Sequence, residues 1–482
     1  MAQAARHRTA ARRAAPRKAK TPATDTDASL EEAKTRALGE RSIRLASFYQ
    51  GKIETVPKVP VRSLDDFSIW YTPGIAAVSR AIESEPDRSF ELTGRWNTIA
   101  IVTDGSRVLG LGNVGPRAAM PVMEGKALLF KFLGGVDAIP LPLDVATPEQ
   151  LVETVERLAP AFGGINLEDI ASPKCFAILE ALSSRLPIPI WHDDQLGTAA
   201  STAAGLSNAI ELTGRSLRST RVVLLGAGAA NIATARLLFA MGQDPLRLAL
   251  VDQRGVLHPD REDMDELMVR NPWKYRLAIQ TRGGGLDHGG LAEAMEGADV
   301  LVAASTPVAG TVKAPWVRAM AKDPIVFALA NPTPEIWPAT ARAAGAAIVA
   351  TGRSDFPNQV NNSLVFPAVF RGVLDARARA IPDEIVLAAV RELAARARDR
   401  GLSDTHILPT MEETGVFPHV AAAVAVRAVK LGIARARHTR EEFLERAQRL
   451  MRRPARLASE LLRAGLTVPM PDEPTTSGRR RR

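Results

Sequence analysis

From residue 98 onward, short apolar runs alternate with longer stretches in which apolar side chains recur every three or four positions. Runs at residues 99–102, 135–141 and 187–191 have the length of buried strands, and the segments 148–162 and 175–186 have helical spacing. This alternation predicts an α/β fold, because each parallel strand pair needs a crossover helix that also covers the sheet. Upstream, residues 30–48 read as a helix, and Pro57, Pro60 and Asp65-Asp66 punctuate the linker that follows. A helix near residues 201–213 closes this first region.

The second region opens with residues 221–225 (RVVLL), which run straight into a glycine turn and a helix over 232–241. The next run, 247–251, ends at Asp252, and runs at 300–304, 325–330 and 347–350 each stop at a polar or turn residue. Parallel strands end this way when their carboxyl ends face a ligand crevice, so residues 216 to about 375 read as a doubly wound sheet. Residues 383 to about 461 read as helices that pack back on the body. The expected division is a disordered basic tail over 1–28, an N-terminal α/β domain carrying catalytic and metal residues over 29–215, a Rossmann-type dinucleotide-binding domain with C-terminal helices over 216–462, and a disordered tail over 463–482.

Composition narrows the class. A chain of 482 residues, 46% hydrophobic, can bury more than one core. The best candidate for a membrane span, residues 222–242, is broken by Asn231 and Arg236, so none is expected. The formal charge of +9 invites a nucleic-acid reading, but seven Lys/Arg lie in residues 1–20 and four at Arg479 to Arg482, leaving −2 for the rest. Tails rich in Ala, Arg, Pro, Thr and Ser cannot build a core. The Arg-rich start also matches a transit peptide, but it lacks the apolar region of a secretory signal. The single cysteine, Cys175, excludes an intrachain disulfide and a Cys-type zinc site; it is expected to be packed, in a reducing, cytoplasmic compartment.

Candidate chemistry falls into two groups. Gly226-Ala-Gly228-Ala229-Ala230-Asn231 lies between strand and helix, where one glycine makes the tight turn and the next lets backbone approach a pyrophosphate. Asp252 stands where an acid accepts the adenine ribose hydroxyls of NAD, while Arg254 and Arg261 suit the 2′-phosphate of NADP; both coenzymes stay open. The second group is acidic: Glu168-Asp169 in GINLEDI and Asp193-Asp194 in WHDDQLGT, each pair at the end of an apolar run. Neighbouring strand residues point to opposite faces, so each pair converges only where the backbone bends. Converging carboxylates repel unless a cation neutralises them, and an oxygen-only set suits Mg2+ or Mn2+. Lys126 and Tyr71 are the candidate proton carriers, with Asn331 and Asn361-Asn362 as hydrogen-bonding partners for substrate or nicotinamide ribose. Helix caps, loop acids, a surface lysine and a core tyrosine are the structural alternatives for these residues.

The runs GKIETVPKVPV, WYTPGIA, VTDGSRVLGLGNVGP, MPVMEGKALLFK, GINLEDIASPKCF, WHDDQLGTA, GAGAANIA, ALANPTPEI and FPNQVNNSLVFPAVFRG, in this order, closely resemble malic enzymes. The resemblance is strong over residues 51–378 and continues more weakly through HILPTMEETGVFPHVAAAVA. It implies oxidative decarboxylation of (S)-malate to pyruvate and CO2 with NAD or NADP. Glu168, Asp169 and Asp194 would ligate the cation, with Asp193 supporting Lys126; Lys126 would deprotonate the C2 hydroxyl, and Tyr71 would protonate C3. Arg107 would pair with a malate carboxylate, and Asn331 and Asn362 would contact substrate or nicotinamide. Asn231 departs from the Gly or Ala usual in the fingerprint, and Leu196 stands where small bacterial relatives often carry His. The resemblance also implies a homodimer or homotetramer, and no regulation through the phosphotransacetylase-like domain that some relatives append. Two rivals remain: a malolactic enzyme releasing lactate, and a nucleic-acid-binding protein acting through its basic ends, whose binding would be sequence-independent and abolished by salt.

Overall fold

The computed structural model describes residues 25–471; residues 1–24 and 472–482, most of the two expected tails, lie outside them. The first helix runs Asp25–Tyr49 and so starts five residues before the pattern at 30–48. Four parallel strands then form the first sheet: β1 (Thr98–Thr103), β2 (Asp137–Pro142), β3 (Gly164–Leu167) and β4 (Ile190–His192), in the order β2-β1-β3-β4. β4 is shorter than the run at 187–191 because Pro187 and Pro189 have no N–H to give a ladder. β2 starts at Asp137 because Gly135, at φ 63°, caps the helix Gly115–Gly134 in the left-handed region.

The second sheet contains β5 (Val222–Leu225), β6 (Leu248–Asp252), β7 (Gly255–Val256), β8 (Val300–Ala303), β9 (Ile325–Ala328) and β10 (Ile348–Thr351). Their order is β10-β9-β8-β5-β6-β7, parallel except for the two-residue β7, which the sequence pattern does not signal. Both faces are covered. Val222 and Leu224 of β5 enter the main core, and Val223 and Leu225 enter a smaller one on the other face. This is why the strand reads as an unbroken apolar run rather than an alternating one.

The chain returns to the first sheet at its end. The helices Phe366–Asp375 and Arg440–Arg463 both pack on Gly115–Gly134, and Val416–Lys430 lies between them and Asp383–Asp399. The C-terminal helices therefore cover the first domain as well as extending the second. Among the described residues no helix is long and apolar enough to cross a membrane.

Candidate active site

In each sheet the strand order reverses beside its first strand, and open α/β sheets bind ligands outside the carboxyl ends of the strands at that point. The carboxylates expected from the sequence sit there: Glu168 and Asp169 follow β3, and Asp193 and Asp194 follow β4. Two local bends bring them together. Asp169 adopts φ +54°, which a short polar side chain tolerates, and so breaks the strand alternation immediately after Glu168. Residues Asp193–Gly197 form a wide turn of π-helical geometry. Gly197 is obligatory in it, because a Cβ there would run into Asp193 Oδ1.

Side chains then lock the bends. The Asp169 N–H donates to Asp194 Oδ2 at 2.9 Å, and the Arg107 N–H donates to the Asp169 carbonyl at 3.0 Å, so the loop after β1 is tied to β3. Asn166 donates to Glu168 Oε2 at 2.9 Å, and the Trp191 indole donates to Asp193 Oδ1 at 2.9 Å. Lys126 reaches in from the helix Gly115–Gly134, with Nζ 2.6 Å from Asp193 Oδ2, 2.9 Å from Glu168 Oε1 and 4.3 Å from the centre of the Phe366 ring. Asn166, Trp191 and Phe366 were not singled out in the sequence; a polar Asn within an apolar strand was the one available signal.

The electrostatics follow from this crowding. Burial would push the Lys126 ammonium down, but Asp193 and Glu168 outweigh it and hold the group above the ordinary lysine range. Burial and the neighbouring carboxylates raise Glu168 well above its usual value, and burial and Asp194 push Asp169 up to about 7. One oxygen from each of Glu168, Asp169 and Asp194 lies within 4.8 Å of the others, and Asp169 Oδ2 is buried without a hydrogen-bond partner. Four carboxylates facing one lysine leave an excess of negative charge, and a hard divalent cation with oxygen ligands fits it. Cys175 is buried and pushed up to about 12 by burial, an inert thiol as expected.

A cleft of about 590 Å³ at the carboxyl ends of the second sheet runs from Arg107 past Gly226, Gly228 and Ser305 to Asp252 and Arg254. Gly226 takes φ +95°, and a Cβ there would strike the Ala304 carbonyl. Ala229 and Ala230 open the helix Ala229–Ala240, whose first N–H groups have no intrahelical acceptor and point toward the turn. Asn231 lies under the glycine turn. It is buried, and its side-chain amide donates to the Leu225 and Gly226 carbonyls at 2.8 and 2.9 Å, so the side chain braces the glycine turn from beneath. Asp252 is covered as well: Oδ1 accepts from the Arg254 N–H and Arg261 Nη1, and Oδ2 faces Lys274. Glu335, which the sequence gave no reason to choose, is fully buried and accepts from the Ser305 and Ala330 N–H groups, bracing the loops after β8 and β9.

The remaining expected residues divide. Asn362 packs beside the Asp193–Gly197 turn, near the Cβ position of Gly197. Asn331 is exposed beyond β9, against Gly352, and its carbonyl lies against Gly110 of the loop after β1. Tyr71 is not brought to the carboxylates: its side chain is 69% exposed, and no hydrogen bond joins it to the cluster.

The glycine-turn cleft of the second sheet and the buried lysine–carboxylate cluster of the first thus meet at Arg107, which lines the one and bonds the other through its N–H, the layout of a two-domain, dinucleotide-dependent oxidoreductase. Two family models match the chain, "Malic enzyme, N-terminal domain" over residues 50–150 and "Malic enzyme, NAD binding domain" over residues 196–431. The chain is 45% identical to the bifunctional malic/malolactic enzyme of Bacillus subtilis, over 86% of this chain and 98% of that protein. It is 46% identical to the NAD-dependent malic enzyme of Geobacillus stearothermophilus (80% and 78% covered) and 43% identical to the NADP-dependent malic enzyme of Halomonas elongata (80% and 92% covered). The crystal structure of Entamoeba histolytica malic enzyme superposes with a TM-score of 0.88 at 41% identity, covering 94% of this chain and 96% of that one. The chain belongs to the malic enzyme family.

Proposed function

We propose that this protein oxidises (S)-malate and decarboxylates it to pyruvate, reducing a nicotinamide dinucleotide, with Mg2+ or Mn2+ held by Glu168, Asp169 and Asp194. The observation that carries the reading is the buried, unpartnered Asp169 carboxylate oxygen within a carboxylate trio beside Lys126. When bound, the cation supplies Lewis acidity at the malate C2 oxygen and a sink for the electrons of the breaking C–C bond. Arg107 pairs with a malate carboxylate and orients C2 toward the coenzyme cleft. Lys126, after giving its ammonium proton to solvent, takes the C2 hydroxyl proton as hydride leaves for nicotinamide, and Asp193 aims its side chain. Lys126 can release its proton only once Glu168 is drawn off it, which couples the base to the loaded state of the carboxylates. Asn331 and Asn362 contribute hydrogen bonds to substrate or nicotinamide ribose.

The tyrosine step belongs to an assembled form. Ile53, Val59, Leu64, Phe67, Ile69 and Trp70 are all exposed around Tyr71, an apolar surface that a homodimer covers. Within that dimer Tyr71 protonates C3. Sedimentation tests the assembly, and a monomer at working concentration would rule this part out. Malate, Mn2+ and each coenzyme, followed by assay of reduced coenzyme, pyruvate and lactate, test the reaction. Equal yields of reduced coenzyme and pyruvate support it. Lactate without net coenzyme reduction would instead select the malolactic reading, which the bifunctional Bacillus relative favours.

A further inference from the structure

The adenosine end of the cleft carries a choice that the sequence left open. An NAD-selecting acid must turn a free oxygen toward the ribose hydroxyls. Asp252 has none to offer: its side chain is 9% exposed, Oδ1 already accepts from the Arg254 N–H at 2.8 Å and Arg261 Nη1 at 3.0 Å, and Oδ2, facing Lys274, has almost no solvent contact. Burial would raise the Asp252 carboxyl, but Lys274 and Arg261 outweigh it and hold it below the usual carboxylate range, so it stays a committed anion. Arg261 is equally committed, buried between Asp252 and Asp263.

Two cations, Arg254 and Lys274, face this end of the cleft beside the carboxylates of Asp263 and Glu266. The Arg254 side chain is 62% exposed, and its ion pairs with Asp263 (3.3 Å) and Glu266 (3.7 Å) are longer than a charge-assisted hydrogen bond. Lys274 lines the same end, and an ammonium has three N–H donors, of which Asp252 engages one. The exposed carboxylate at this end, Glu266, is already paired with Arg254 and Arg270, whereas a phosphate brings its own acceptors to two cations with donors to spare. We propose that this end of the cleft selects NADP, with Arg254 and Lys274 receiving the 2′-phosphate, Asp252 serving as the strut that positions Lys274, and Glu266 as the competing acid that yields Arg254 on binding. This rests on the dinucleotide part of the proposed function and adds the coenzyme to it.

The test is calorimetric titration of the full-length protein with adenosine 2′,5′-bisphosphate and with 5′-AMP, at low and at moderate salt. The bisphosphate should bind roughly tenfold to hundredfold tighter, with the preference shrinking as salt rises. Arg254→Ala should remove the preference, and Glu266→Gln should enlarge it. Equal affinities for the two probes in the unmodified protein, or a preference that survives Arg254→Ala, would overturn the proposal. Neither probe carries nicotinamide and no malate is present, so failure here and failure of malate oxidation are read separately.

Discussion

The two ends of the first sheet bury charge in opposite ways. At the carboxyl end, Glu168 and Asp193 hold a single ammonium with Asp169 and Asp194 clustered alongside, and a carboxylate oxygen of Asp169 is left unpartnered. At the amino end, Asp375 accepts from Arg371 Nε and Nη2 at 3.0 and 2.8 Å and from Arg446 Nε at 2.6 Å. Arg371 also donates to Asn97, which in turn donates to Asp137 and to the Gly135 carbonyl. Cations are in excess there, but Lys58 and Arg446 are long and half-exposed, so their surplus charge reaches water. Glu168 and Asp169 are short and buried and have no such escape. A closed network of long cations staples helices to a sheet, while buried carboxylates held together by their neighbours keep a negative excess that the fold itself does not neutralise.

Removing one member from each end tests this contrast. Lys126→Ala should lower malate turnover by about 10²–10⁴-fold, the range for a general base, with the protein still folded by circular dichroism. Near-normal turnover would mean that another group takes the proton. Asp375→Ala should do the reverse, costing about 3–5 kcal/mol in urea unfolding because it strands the fully buried Arg371, while turnover per folded molecule holds. If stability barely changes, the amino-end network is not what ties the C-terminal helices down.

Smaller effects refine it. Mn2+ at about 100 times its dissociation constant should stabilise the metal-free protein by about 2.7 kcal/mol, read as a rise in Tm, and Asp169→Asn should remove most of that gain. Undiminished malate oxidation after exhaustive chelation would refute the cation site. Least in magnitude, Asn166→Ala should weaken Mn2+ binding by roughly tenfold, since groups that orient metal ligands usually matter at about that level. No change would make Asn166 a packing residue only.

Much of this was legible in the chain itself. Apolar runs of strand length, the helices between them and the glycine turn at Gly226 are local patterns, and burial on both faces of a parallel sheet makes those runs continuous. The pairs Glu168-Asp169 and Asp193-Asp194 could be placed at strand mouths for the same reason. β7 escaped because two residues carry no period, and the bracing of the glycine turn by the Asn231 side chain escaped because it depends on which way a helix residue faces.

Tertiary structure decided which of these residues meet. Lys126 lies 67 positions from Asp193, and Arg371 lies 274 from Asn97, separations that no periodicity encodes. Asp252 reads as an open acid until Lys274 and Arg261 are seen paired with it, and Tyr71 reads as a core or site residue until the fold leaves it exposed. Element type follows from the spacing of neighbouring side chains, whereas the charge state, reach and partners of a buried group depend on everything the fold packs around it.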